Sequence, residues 1–226
     1  VNPELFREGT SDENIHKSVV EFNEYRIPER FETDDLILDI GAHVGNFAYA
    51  CTQRGAGRVM CFEPDPENYA LLRQHLEDEI AIGRVETFPV AVSNRFEFRW
   101  FSGPILGEDE CNHGGAYLFG RNNDSYGLGP SLLIHPYRVV TIAFDDIEFP
   151  DGFNRRLLKL DCERSEHEII QSASVASFPQ IAGEYHPCGD RTGESLKARL
   201  EQLGFAVGLF PWRDSELGLF FCRKTM

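Results

Sequence analysis

The chain is poor in positive charge. Across 226 residues, 22 lysines and arginines stand against 37 aspartates and glutamates, a formal net charge of −15. That balance repels a phosphate backbone, so nucleic acid is not expected as a partner. No run of about 18 apolar residues occurs and no charged-then-apolar leader opens the sequence, which speaks against membrane insertion and secretion. Cys-x-x-Cys pairs are also missing. The six cysteines, at positions 51, 61, 111, 162, 188 and 222, are scattered singly. They read as small hydrophobes in a reducing, cytoplasmic compartment rather than as zinc ligands or disulfides, with Cys61, Cys162 and Cys222 expected inside apolar strands. What remains is 42% hydrophobic content, enough for one core and one α/β domain over 1–226.

One turn carries most of the chemical information. The run Leu36-Ile37-Leu38-Asp39-Ile40 leads into Gly41-Ala42-His43-Val44-Gly45-Asn46, predicting a strand, a tight reversal and a helix over Asn46 to Gln53. Glycines suit such a reversal and leave room for a ligand at the backbone. A second strand, Arg58 to Phe62, ends in Glu63, 18 positions past Gly45, where an acid can hold a ribose. Dinucleotide sites need a further glycine at the centre of the turn, because a pyrophosphate presses on the helix N-terminus. Here Ala42-His43-Val44 stands instead, which favours the phosphate-free cofactor S-adenosylmethionine over NAD. Asp39 and Glu63 would supply acceptors for its ammonium and its ribose hydroxyls.

Along the chain, Ser11 or Asp12 can cap an N-terminal helix reaching about Tyr25, within a helical cap over 1–34. Asp65-Pro66-Glu67 opens the next helix, and a third strand spans Val85 to Val92. A fourth strand, Leu157 to Asp161, is followed by Ser165-Glu166-His167-Glu168, a capping box opening a helix to about Ala176. Pro179 to His186 forms a fifth strand and Glu194 to Leu203 a helix. Phe205 to Phe210 and Leu217 to Cys222 are too close in sequence for a parallel crossover and should pair antiparallel. An insertion over 95–147 has strand-like flanks, Phe96 to Phe101 and Arg138 to Ile142, around a glycine- and asparagine-rich centre, 102–135. A loop of that length is a lid or a disordered excursion.

Taken together, Asp39-Ile40-Gly41-Ala42-His43-Val44-Gly45, Phe62-Glu63-Pro64-Asp65-Pro66, Val90-Ala91-Val92-Ser93, Lys159-Leu160-Asp161-Cys162-Glu163-Arg164-Ser165-Glu166 and Glu184-Tyr185-His186 resemble the FkbM-type S-adenosylmethionine-dependent methyltransferases. The resemblance implies a Rossmann-like class I methyltransferase fold: a seven-stranded, mostly parallel sheet with an antiparallel C-terminal hairpin and an insertion after strand three. It implies methyl transfer to a hydroxyl of a sugar, glycolipid or natural-product acceptor. It places Asp39, Gly41, Gly45, Glu63 and Ala91 at the cofactor, with Ala42, His43, Asn46, Pro64, Val90 and Asp161 beside them in the same motifs. In two places the chain departs from that pattern. The family usually has Asn where His43 stands and Gly where Arg164 stands.

Transfer to an alcohol releases a proton, and Asp161, Glu163 and His186 lie at adjacent strand ends, where open α/β sheets bind ligands. His186 or Asp161 is the expected base. Strand-end acids also cap helices, so a structural role for this trio stays open. A further grouping, Asp161, Glu163, Glu184 and His186, has the donor set for Mg²⁺, which is an alternative and not the prediction. A non-catalytic cofactor-binding protein and, less favoured, an NAD-dependent oxidoreductase are the competing functions.

Overall fold

The computed structural model describes residues 6–102, 105–106, 111–112, 118–119 and 137–225. Strands β1 (Asp35–Ile40), β2 (Arg58–Phe62) and β3 (Val85–Phe88) come first. The insertion follows with β4 (Ala91–Ser93), β5 (Glu97–Phe101), β6 (Ile105–Leu106), β7 (Cys111–Asn112), β8 (Leu118–Phe119) and β9 (Tyr137–Ala143). Strands β10 (Asn154–Leu160), β11 (Gln180–Tyr185), β12 (Phe205–Pro211) and β13 (Gly218–Lys224) complete the set. Helices α1 (Asp12–His16), α2 (Asn46–Gln53), α3 (Pro66–His75), α4 (Glu77–Ala81), α5 (Glu166–Ile169) and α6 (Gly193–Gln202) connect them.

Seven strands form the main sheet in the order β12-β13-β11-β10-β1-β2-β3. All neighbours are parallel except those of β13, which runs antiparallel to both β11 and β12. The sequence order reverses between β1 and β10, so the crevice that an open α/β sheet offers to ligands lies at their carboxyl ends. Every residue of β1 is buried, as a central parallel strand requires. Leu36, Leu38 and Ile40 join one core with Leu158, Phe178 and Leu200. Ile37 joins the other, with Phe47, Val59 and Leu72. The α3 start is as expected, with the Asp65 side chain capping the N–H groups of Glu67 and Asn68.

Several elements differ from the sequence reading. The expected strand over 85–92 is two. Pro89 lacks the N–H a ladder needs, and beyond it Ala91–Ser93 leaves the main sheet and pairs in parallel with β9 in a four-stranded sheet, β4-β9-β5-β8. The N-terminal helix is short. After α1 the chain makes a wider π turn over Lys17–Glu21 and stops at Asn23, which has φ 52° and trades hydrogen bonds with Ile27. Ser11 makes no side-chain cap bond, and Asp12 is taken by Arg7.

The capping box at Ser165 does not form, and α5 is one turn long. Ser172 instead caps a separate 3₁₀ turn over Ala173–Ser177, the local competition that serine offers a helix. Thr192 and Ser195 make the capping box of α6, which the sequence reading started at Glu194. Cys162 lies past the end of β10 rather than inside it.

The flanks of the insertion are strands, β5 and β9, paired antiparallel. Most of 102–135 lies outside the described residues, and the lid reading with it. The insertion is tied to the main sheet through Tyr137, whose hydroxyl donates to Asp65 at 2.6 Å. Arg99 and Ser93 also reach Glu168 on α5, the arginine at 2.7 Å. Among the described residues no helix is long and apolar enough to cross a membrane.

Candidate active site

A cavity of about 540 Å³ opens at the carboxyl ends of β1, β2, β10 and β11, within the size range of small-molecule sites. Its lining includes Gly41, His43, Glu63, Pro64, Ala91, Asp161, Glu163 and His186 from the sequence reading. Asp39, Ala42, Gly45, Asn46 and Val90 are not part of that lining.

The turn after β1 is built by left-handed residues. Gly41 and Gly45 have φ 79° and 92°. Their missing side chains make room for protein rather than for a ligand. A Cβ on Gly41 would lie 1.8 Å from the Asp161 carbonyl oxygen, and one on Gly45 would meet Leu76 at 3.0 Å. His43 is also left-handed, with φ 51°, a conformation that asparagine tolerates better than most residues. Asn and Gly at these two positions would answer one backbone requirement, since Arg164 has φ 83° and also takes a conformation suited to glycine.

Glu63 is 4% exposed and accepts from the backbone N–H of His43 at 2.8 Å and of Asp65 at 2.9 Å. Burial, against those two bonds, raises its pKa to about 7. Each carboxylate oxygen keeps a lone pair for a further donor.

Asp39 is fully buried, and its partner is Lys159, directly opposite in the β1–β10 register, with Nζ 3.3 Å from Oδ1. The same ammonium donates to the Gly41 carbonyl and lies 3.6 Å from Asp161 Oδ2. Burial opposes the charge on Lys159, but Asp39 and Asp161 outweigh it and raise its pKa. Asp39 thus bears on the turn through Lys159 and does not line the cavity. Asn46 is likewise turned inward, with Oδ1 2.9 Å from His16 Nδ1.

At the other end, Tyr25 reaches in from the N-terminal segment. Its buried hydroxyl lies 2.9 Å from Asp161 Oδ2 and 3.2 Å from Glu184 Oε1. His186 sits among three carboxylates: Nδ1 is 3.2 Å from Glu166, and Nε2 is 3.3 Å from Glu163 and 3.5 Å from Glu184. Burial would neutralise the ring, yet these acids prevail and hold its pKa well above the usual histidine value. Burial lifts Glu163 to about 8, and burial with Glu184 and Asp161 lifts Glu24 to about 7. Asp161, Glu184 and His186 have ligand atoms within 4.8 Å of one another and could hold a divalent cation.

Tyr25, Glu24 and Lys159 escaped the sequence reading as site residues. Lys159 did leave a signal, a lone cation inside an apolar strand, which demands a buried partner. Tyr25 left none, because its contacts span 136 and 159 positions.

Fold, switch-point cavity and acid at the tip of β2 define a class I methyltransferase-type domain. The family described as the methyltransferase FkbM domain matches residues 39–206, and the chain belongs to that family. It is 33% identical over 93 residues to the 2-O-methyltransferase NoeI of Sinorhizobium fredii (strain NBRC 101917 / NGR234), a match covering 41% of this chain and 34% of NoeI. Among solved structures it resembles the methyltransferase FkbM of Methylobacillus flagellatus KT, with TM-score 0.59 and 17% identity over 91% of this chain and 47% of that one. It also resembles the precorrin-6y C5,15-methyltransferase of Geobacter metallireducens GS-15, with TM-score 0.51 and 12% identity over 97% and 92%. The chain spans about a third of NoeI and about half of the Methylobacillus protein.

Proposed function

We propose that the chain is an S-adenosylmethionine-dependent O-methyltransferase acting on a hydroxyl of a small acceptor of sugar, glycolipid or natural-product type. The observation that carries this reading is Glu63, a buried carboxylate on the cavity wall beside a turn without a phosphate-binding glycine. These residues fit a nucleoside that bears no phosphate. Glu63 would accept from the ribose hydroxyls, and Gly41, His43, Pro64 and Ala91 would border the nucleoside. Ala42, Gly45, Asn46 and Val90 would shape the turn and strand from behind, and Asp39 would steady them through Lys159. When bound, the cofactor supplies a methyl group already activated by its sulfonium. NoeI is named as an O-methyltransferase, which supports an oxygen acceptor.

The chain's own task is to orient the acceptor and receive one proton. Asp161 suits the role of base: it lines the cavity, and Tyr25 fixes its Oδ2. A base so placed contributes roughly 10²- to 10⁴-fold. His186 suits it less, because an imidazolium has no free lone pair. It would serve instead to hold Glu163 and Glu184 together at the acceptor side.

Calorimetric titration with S-adenosylmethionine, S-adenosylhomocysteine and NADH, followed by a methyl-release assay over an acceptor panel with and without chelator, tests the reading. Glu63→Gln should weaken S-adenosylmethionine by about 1–2 kcal/mol through loss of charge-assisted bonds. Asp161→Asn should lower turnover roughly 10²-fold in the same assay. Binding of NADH without S-adenosylmethionine would sink the reading.

A further inference from the structure

The turn between β12 and β13 places an indole on the rim of the cavity. Trp212 lines it and is still 41% exposed, so one part of the indole stays open to a ligand. Its place is set by the backbone. The N–H of Trp212 donates to the Leu217 carbonyl at 3.0 Å, and its carbonyl accepts from Ser215 at 3.2 Å. The turn also packs directly on β11. The β11–β13 ladder ends at Tyr185 opposite Gly218, where a Cβ would come within 2.6 Å of the Tyr185 hydroxyl. One position further along each chain stand His186 and Leu217, and both line the cavity, as does Pro187.

The cavity lining therefore combines the apolar side chains of Pro187, Trp212 and Leu217 with the carboxyls of Glu163 and Glu184. Such a lining suits a ligand with two unlike sides, one made of C–H bonds and one of hydroxyl donors. An indole offers a flat apolar body, and carboxyl groups bond hydroxyls, as acceptors when ionised and as donors as well when protonated.

We infer that Trp212 is the aromatic wall of the acceptor subsite and that the acceptor presents a pyranose ring, its C–H face on the indole and its hydroxyls toward Glu163 and Glu184. The inference rests on the methyltransferase reading above.

The sequence has two tryptophans, and Trp100, on β5, is not part of the lining. In Trp100→Phe protein saturated with S-adenosylhomocysteine, methyl hexopyranosides should produce a saturable change in Trp212 emission. By calorimetry, Trp212→Ala should weaken those glycosides about tenfold, the order of one lost aromatic contact, while Trp212→Phe retains most of the affinity. Affinity for S-adenosylhomocysteine, read in the same samples, reports a variant that fails to fold. If S-adenosylhomocysteine binds and no glycoside perturbs Trp212, or if catechols or cationic amines do so in their place, the inference is overturned. If S-adenosylhomocysteine itself does not bind, the methyltransferase reading falls and the inference with it.

Discussion

Arg164 and His43 show how a single side chain can depart from a family pattern and keep the backbone that the pattern encodes. Both hold left-handed φ values, which cost a residue with a Cβ on the order of 1–2 kcal/mol. Arg164→Gly should accordingly raise unfolding free energy by about 1 kcal/mol in urea titration. An unchanged or lower midpoint would mean that the guanidinium's own contacts outweigh the strain. At this scale the sequence was legible wherever chemistry follows from neighbours in the chain. Glu63 and Asp161 were found because they end apolar runs. The inward turn of Asp39 was not, since the position of Lys159 opposite it depends on strand register.

Among the elements, the strands of the main sheet were readable because each is an apolar run bounded by turn residues. The short N-terminal helix, the break at Pro89 and the single turn of α5 were harder, because side-chain contacts and one missing N–H override helical or strand pattern there. The N-terminal segment is the element whose role changed most. The sequence pattern predicts a helical cap over 1–34, whereas Tyr25 makes the segment part of the cavity wall. Its ring packs edge-on against Phe47 at 5.6 Å, and the neighbouring Arg26 guanidinium lies 4.0 Å from the Phe221 ring centroid. Tyr25→Phe keeps the ring and removes the donor to two acids. It should cost about 1.5–3 kcal/mol, the range for a hydrogen bond to a charged group, and speed limited proteolysis near residues 17–26. A cleavage rate equal to wild type would show that packing alone holds the segment.

For the whole molecule, the buried acids set the pH response. Glu24 and Glu63 are raised to about 7 and Glu163 to about 8, chiefly by burial, from an ordinary 4.5. A group whose folded pKa is raised gives stability that is full below its unfolded pKa and lost as pH climbs through the folded one. His186, also raised, has the same sign. His43, lowered by burial to about 4 from 6.5, has the opposite sign and acts below pH 6.5. Above that value the acids meet no such opposition, so Tm of the ligand-free chain should fall between pH 6.5 and 8.5, and Glu24→Gln should flatten the fall. Scanning calorimetry across that interval decides it, and a level profile in the wild-type chain would contradict the placement of these carboxyls.

The ladder between β5 and β9 has a consequence of its own. By pairing Phe101 with Tyr137, it clips together the two ends of everything encoded between them. Loop-closure entropy grows only logarithmically, about 0.6 kcal/mol per doubling of length. Descendants of this gene could lengthen, shorten or exchange that cassette with little strain on the turn after β1. The fold is thus arranged so that this segment can drift in length and sequence while the main sheet stays the same.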